Sequence, residues 1–226
     1  MGVARRLASP ARVVVSALIA ASAVSALSGT ARAEGARPDW ARGLVIASAV
    51  GIADRQAPSP VSARGPARRA AEDAARKQLA AALPALPLAA GGTLGKHLAD
   101  AAIKARVDRA VAAAIPLDAE PSTDGSWKVT LAVPIEALRQ ALTGPRPAPA
   151  SDVDGPPVVI VEGARPTPAI GYKLGKLAAP AIWVQDIPAW AKDAPRIKAR
   201  GASAGTIDLA EAKGSESTLF VILAPR

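Results

Sequence analysis

Five residues, Gly201-Ala202-Ser203-Ala204-Gly205, have the G-x-S-x-G spacing that can lift a serine nucleophile onto a sharp turn between a strand and a helix. That chemistry also needs a histidine base, which in such an architecture follows the serine in the chain. The one histidine here is His97, far upstream, and Thr206 to Leu209 begins no long helix. A plain small-residue turn accounts for the motif better. The run Gly91-Gly92-Thr93-Leu94-Gly95-Lys96 approaches a phosphate-binding loop, but Ala90 stands where the first glycine is needed and His97 where a hydroxyl is needed. A glycine turn leading into a helix, with Thr93 as its N-cap, is the simpler reading.

Metal and acid chemistry fare no better. One histidine and no cysteine cannot assemble a zinc site, and Asp152-Val153-Asp154-Gly155 lacks the remaining ligand spacing of a calcium loop. Glu162, Asp186 and Asp193 are acids that could face each other across a glycan cleft, but scattered acids of this kind usually belong to the solvated surface. No cofactor, metal or catalytic residue is therefore assigned, and the chain reads as a non-enzyme.

Three aromatic residues remain as candidate binding residues: Tyr172, Trp183 and Trp190, with Lys173, Lys176 and Lys192 around them. Aromatic faces beside cations can stack on sugars or on a partner's surface. The same residues are also the few large side chains able to pack a small lobe. Trp190, framed by Pro188 and Pro195, is the best surface candidate of the three.

The elements that must position these groups divide the chain in two. An α+β domain is expected over 37–143. It opens on a strand within Trp40 to Ile52, rich in Leu44, Val45, Ile46, Val50 and Ile52, and stopped by Asp54 and Pro58-Ser59-Pro60. An Ala-rich helix follows from about Ser62, with Pro66 in its first turn and Pro84 and Pro87 ending it; Ala67, Ala71, Ala75, Leu79, Ala82 and Leu86 recur at helical spacing. A second helix is predicted from Thr93 to Ala114, with Ala99, Ile103, Val107, Ala110 and Ala114 on one stripe. The hairpin comes next: Ile115 to Glu120, a turn at Ser122-Thr123-Asp124-Gly125, and the alternating arm Trp127 to Val133. Ile135 to Leu142 suggests a short helix. Residues 144–157 form a proline-rich linker to a smaller, β-rich C-terminal lobe over 156–226. Its expected strands are Val158 to Val161, Ala181 to Val184, Thr206 to Leu209 and Thr218 to Leu223.

This order of elements, with Trp40 to Asp54, Pro58-Ser59-Pro60 and the helix opening Ala67-Arg68-Arg69-Ala70-Ala71-Glu72-Asp73-Ala74-Ala75-Arg76, resembles the repeated strand-then-Ala-rich-helix unit of the twenty-kilodalton bacterial lipoprotein family. Relatives of that family include the amino-terminal part of the flagellar T-ring assembly protein. The resemblance covers most of the chain after residue 33 and implies a non-enzymatic envelope or appendage component. One departure stands out: with no cysteine there is no lipobox, so tethering by lipid is not expected.

Residues 1–33 read as a secretory signal peptide. Arg5, Arg6 and Arg12 form its basic start, Val13 to Val24 its short apolar run, and Ala31-Arg32-Ala33 its cleavage site. Cleavage removes four of the 28 basic residues and none of the 19 acidic ones, leaving 24 against 19 and a charge of +5. An exported chain with this modest charge is a poor nucleic-acid binder; anionic envelope surfaces suit it better. The expectation is a periplasmic or extracellular protein with no transmembrane segment after cleavage, acting as a structural or assembly component on an envelope protein or cell-wall polymer. The alternative is a peptidoglycan- or glycan-binding module using the aromatics of the C-terminal lobe.

Overall fold

A computed structural model describes residues 32–144, 157–203, 205–211 and 214–225. The expected signal peptide lies outside these residues except for Arg32 and Ala33. Most of the proline-rich linker, the Asp152 to Gly155 stretch and Ala204 lie outside them too. The fold is mixed α+β, built on two sheets.

The first sheet is antiparallel, in the order β1-β2-β4-β3. Its strands are β1 (Arg32–Asp39), β2 (Leu44–Gly51), β3 (Ile115–Pro121) and β4 (Trp127–Pro134). Strand β2 alternates as its sequence demands: Val45, Ala47, Ala49 and Gly51 are buried, while the residues between them are half-buried. Ser48 and Thr130, paired across β2 and β4, join hydroxyls at 2.9 Å on the other face. Cleavage after Ala33 would leave Glu34 to Asp39 of β1 paired with β2.

Helix α1 (Pro60–Ala82) lies on the buried face of this sheet. It begins two residues before the expected Ser62 because Ser59 caps it. The Ser59 hydroxyl accepts from Ser62 N at 3.2 Å, and Ser59 N donates to Ser62 Oγ at 3.1 Å. Pro66 consequently sits inside the helix rather than in its first turn. Its buried residues, Ala63, Ala67, Ala71, Ala75 and Leu79, are each four apart, forming one narrow stripe of methyl groups. Opposite them Gly51 leaves room for the helix backbone. A Cβ at Gly51 would stand 1.8 Å from the carbonyl oxygen of Ala67. At the rim, the Arg68 guanidinium lies 5.4 Å over the Trp127 ring.

The single helix expected from Thr93 to Ala114 is two. One turn, α2 (Leu94–His97), is followed by a break and then α3 (Ala101–Ala112). Asp100 causes the break: its Oδ1 accepts from Ala102 N at 2.8 Å and Ile103 N at 3.2 Å, which makes it an N-cap rather than a mid-helix residue. On the predicted stripe Val107 is buried and Ile103, Ala110 and Ala114 are half-buried, whereas Ala99 is exposed. Helix α4 (Ile135–Thr143) follows β4 directly and is tied to α3 by a 2.6 Å bond from Arg106 Nε to Ala141 O.

The hairpin turn stands where its sequence puts it. Asp124 accepts from Ser126 N at 2.9 Å and from Ser126 Oγ at 3.0 Å, and Ser126 Oγ in turn accepts from Ala53 N at 3.0 Å.

The C-terminal sheet has the order β6-β9-β8-β5-β10-β7 and is mostly parallel. Its strands are β5 (Val158–Glu162), β6 (Lys173–Leu174), β7 (Ala181–Val184), β8 (Arg196–Ser203), β9 (Thr206–Leu209) and β10 (Leu219–Leu223). The two central strands, β5 and β10, carry unbroken apolar runs because both faces are covered. Val159, Val161, Phe220 and Ile222 pack on one face, and Ile160 and Val221 on the other. Strands β6 and β8 were not expected. β8 reads Arg196-Ile197-Lys198-Ala199-Arg200-Gly201-Ala202-Ser203 and buries only Ile197.

Gly51→Ala drives a methyl group into the α1 backbone. We expect it to lower stability by about 3 kcal/mol, read as a drop in the urea midpoint at unchanged slope. Ser126→Ala removes a hydroxyl that links Asp124 Oδ2 to Ala53 N and should cost about 1 kcal/mol in the same assay.

Candidate functional site

The two sheets meet at the turn between β1 and β2. Asp39 shapes this turn by accepting from Arg42 N at 3.0 Å and from Arg42 Nε at 2.8 Å. Burial raises the Asp39 pKa, but the Arg42 bonds outweigh it and hold the carboxyl below its ordinary value of 3.8. Gly43 closes the turn with φ +66°, donating to Trp40 O at 3.3 Å. Trp40 O also accepts from Trp183 N of β7 at 3.0 Å. The two indoles pack edge to face, 5.6 Å between centroids, and Trp40 touches the main core of each sheet. A second seam lies nearby: Ala89 N donates to Ile170 O and Ile170 N to Pro87 O, both at 2.9 Å.

A small, partly open cleft lies along this junction, with enclosed room for about one water molecule. Helix α4 supplies Ile135, Glu136 and Arg139; the facing wall is Ala169 to Tyr172 with Ala179, Ala181 and Trp183. Arg139 is only 5% exposed. Its Nε donates to Glu136 Oε2 at 2.7 Å and its Nη2 to Glu136 Oε1 at 2.5 Å, a two-pronged pair that also receives Gln140 Nε2 at 3.0 Å. Arg139 Nη1 and Trp183 Nε1 are buried with no hydrogen-bond partner among the described residues. Burial pushes the Tyr172 hydroxyl above its ordinary 10.0, so it is neutral at physiological pH; it donates to Thr167 O over a long 3.4 Å.

The three aromatic candidates are not assembled on one surface. Trp183 is 4% exposed and belongs to the core, because it points to the inner face of β7 against Trp40 and Tyr172. Tyr172 is half-buried, its ring 5.9 Å from that of Trp183, and it lines the cleft. Trp190 is 59% exposed on the short turn Ala189–Ala191. That turn packs through Ala191 against Ile160, Val184 and Val221, on the opposite face of the sheet from Trp183. Of the three, Tyr172 and Trp183 share a site and Trp190 stands apart.

The other candidates are scattered. Ser203 is exposed at the end of β8, and strand β9, not a helix, follows it. His97 is exposed. Gly91 and Gly92 turn a small hairpin in which Leu88 N donates to Gly92 O at 3.1 Å and Leu94 N to Leu86 O at 2.9 Å; Thr93 stands at the N-cap of α2 but makes no side-chain bond there. Glu162 pairs with Arg196 across β5 and β8 at 2.9 Å, while Asp186 and Asp193 lie on exposed loops. Among the described residues no three His, Cys, Asp or Glu side chains gather where they could hold a metal, and no helix is long and apolar enough to cross a membrane.

Arg139 was missed from the sequence. Its signal was there, since it falls four residues after Ile135 and one after Leu138 on the helix's apolar side, with Glu136 three residues before it. No family model matches this chain, and no curated protein matches it.

Glu136→Ala strands a buried guanidinium and should cost about 2 kcal/mol; Arg139→Met, which leaves Glu136 free to turn to water, should cost less. Urea unfolding of both variants measures the order. Because the folded pKa of Asp39 is depressed, the stability it contributes is complete above about 3.8 and lost as pH falls through the folded value. Asp39→Asn should therefore flatten the acid limb of the stability profile as pH falls below about 3.8 and leave its slope at neutral pH unchanged.

Proposed function

We propose that this protein is an exported, non-enzymatic component of the cell envelope that acts by assembling with another envelope protein. The observation that carries the reading is Trp190, a large indole exposed to solvent on a short turn between Pro188 and Pro195. Exposing an indole costs apolar hydration, and such rings are enriched at protein interfaces. The resemblance of the strand-then-Ala-rich-helix order to the twenty-kilodalton lipoprotein family supports the same class, and the basic, apolar and small-residue order of 1–33 supports export.

A second reading, a glycan-binding module, is favoured by the cleft beside Tyr172 and keeps only that ring and the indole N–H of Trp183 from the original trio. It needs no exposed face of Trp183.

A photo-crosslinking residue at position 190, in cells making the tagged protein, tests the assembly reading. One recurrent envelope protein should be captured. Trp190→Ala should reduce capture of that protein by a conventional amine crosslinker while changing unfolding stability by less than about 0.5 kcal/mol. Absence of any recurrent protein would remove the reading.

A further inference from the structure

Helices cover one face of the first sheet. Its buried strand residues in the main core are Val45, Ala47, Ala49, Val129, Leu131 and Val133, all on the face that α1 covers. By register the other face carries Leu44, Ile46, Ser48 and Val50 on β2, with Pro134, Ala132, Thr130 and Lys128 directly beside them on β4. Ile115 of β3 stands next to Ala132 and is 46% exposed. Leu44, Ile46, Val50 and Ile115 belong to none of the three apolar cores. An antiparallel sheet that turns one face to water ordinarily places polar residues there. This face repeats branched apolar side chains instead.

Its layout is that of an interface. The centre is apolar, and the two hydroxyls within it, Ser48 and Thr130, already bond each other at 2.9 Å, so covering them costs less than covering two free hydroxyls. Charged residues stand at the rim: Arg37 on β1, Asp118 and Glu120 on β3, and Lys128 toward the end of β4. An apolar centre inside a charged rim is how protein interfaces are built. The relief narrows the choice of partner. Strand β2 presents large side chains and β4 small ones, with Ala132 fully buried between Ile46 and Ile115. A ridge lying beside a trough is met by the same surface turned through half a revolution.

We infer that two copies of this chain pack face to face through this sheet, about a two-fold axis running along the strands between β2 and β4. The axis lays β2 of each copy over β4 of the other, Ile46 over Ala132 and Ser48 over Thr130. It also brings the β1 edge, with Arg37, over the β3 edge, with Asp118. Four strands about 4.8 Å apart and eight residues rising about 3.4 Å each give a footprint of about 500 Å² per copy. That is under the roughly 800 Å² per partner of a standard interface, so the dimer is weak and depends on concentration. Trp190, on the C-terminal lobe, takes no part, and its capture experiment and this one succeed or fail separately.

Sedimentation equilibrium of the intact protein over a concentration series is the first test, and the mass should rise from one chain toward two by about 1 mM. Ile46→Lys sets a charge at the centre of the face and should weaken the dimer at least about tenfold, because charges are depleted at interface cores. The chain has no cysteine, so Ser48→Cys supplies one thiol near the axis. A short bismaleimide should join two chains carrying Ser48→Cys and not two carrying Ala80→Cys, an exposed position on α1. This crosslink decides even if Ile46→Lys fails to fold. A single-chain mass throughout the series, a dimer that Ile46→Lys leaves intact, or a photo-crosslinker at position 48 that captures a different protein in place of a second copy overturns the proposal.

Discussion

The carbonyl of Trp40 is the point on which the two sheets depend. It accepts one N–H from its own turn, at Gly43, and one from β7, at Trp183. Its indole meets the Trp183 indole edge to face, a geometry worth about 1 kcal/mol beyond the area it buries. Each hydrogen bond adds roughly 1 kcal/mol net. These sums are small, but the same residue reaches both cores, so the apolar burial on either side becomes one continuous interior. The cleft exists because of this contact. Its α4 wall comes from the first sheet's side and its Trp183 wall from the second.

Holding Trp40 in place falls to the packing behind it. The alanine stripe of α1 has side chains of one carbon, and Gly51 has none, so the helix backbone rests almost directly on β2. Small residues give up buried area per residue and gain closeness, which leaves no slack for β2 to slide. Strand β2 enters directly from the Trp40 turn, and Ile135 N donates to Gly43 O at 2.8 Å, so α4, leaving the neighbouring strand β4, is fixed to the same turn at the same end of the sheet. Register in the sheet, the start of α4 and the position of Arg139 thus follow from one close contact.

What the sequence made legible follows from where burial writes a pattern. Strand β2, the α1 stripe, the hairpin to β4 and the apolar cores of β5 and β10 could be read because one or both faces are covered. Strands β1 and β8 could not, since Arg32-Ala33-Glu34-Gly35-Ala36-Arg37-Pro38-Asp39 is a polar edge strand and β8 buries a single Ile197. The break at Asp100 was hidden because the apolar spacing continues across it while the cap is a local hydrogen bond. The site was half legible. Aromatic residues drew notice to Tyr172 and Trp183, but sequence distance gave no sign that Trp190 lies on the other face of the sheet, and the pairing of Arg139 with Glu136 inside the cleft is a consequence of α4 docking.

The claim that the two sheets form one unit around Trp40 is tested most directly by native-state hydrogen exchange at the backbone N–H groups of Ala89, Ile170 and Trp183. Trp183 N bonds the turn of the first sheet, and Ala89 and Ile170 join the loop after α1 to the loop between β5 and β6. They should exchange as slowly as the N–H groups of Val129 and Leu131 in β4, and through the same global opening. Rapid exchange at these three positions while β4 and β10 stay protected would mean that the sheets part freely, and the account of the junction and its cleft would be wrong.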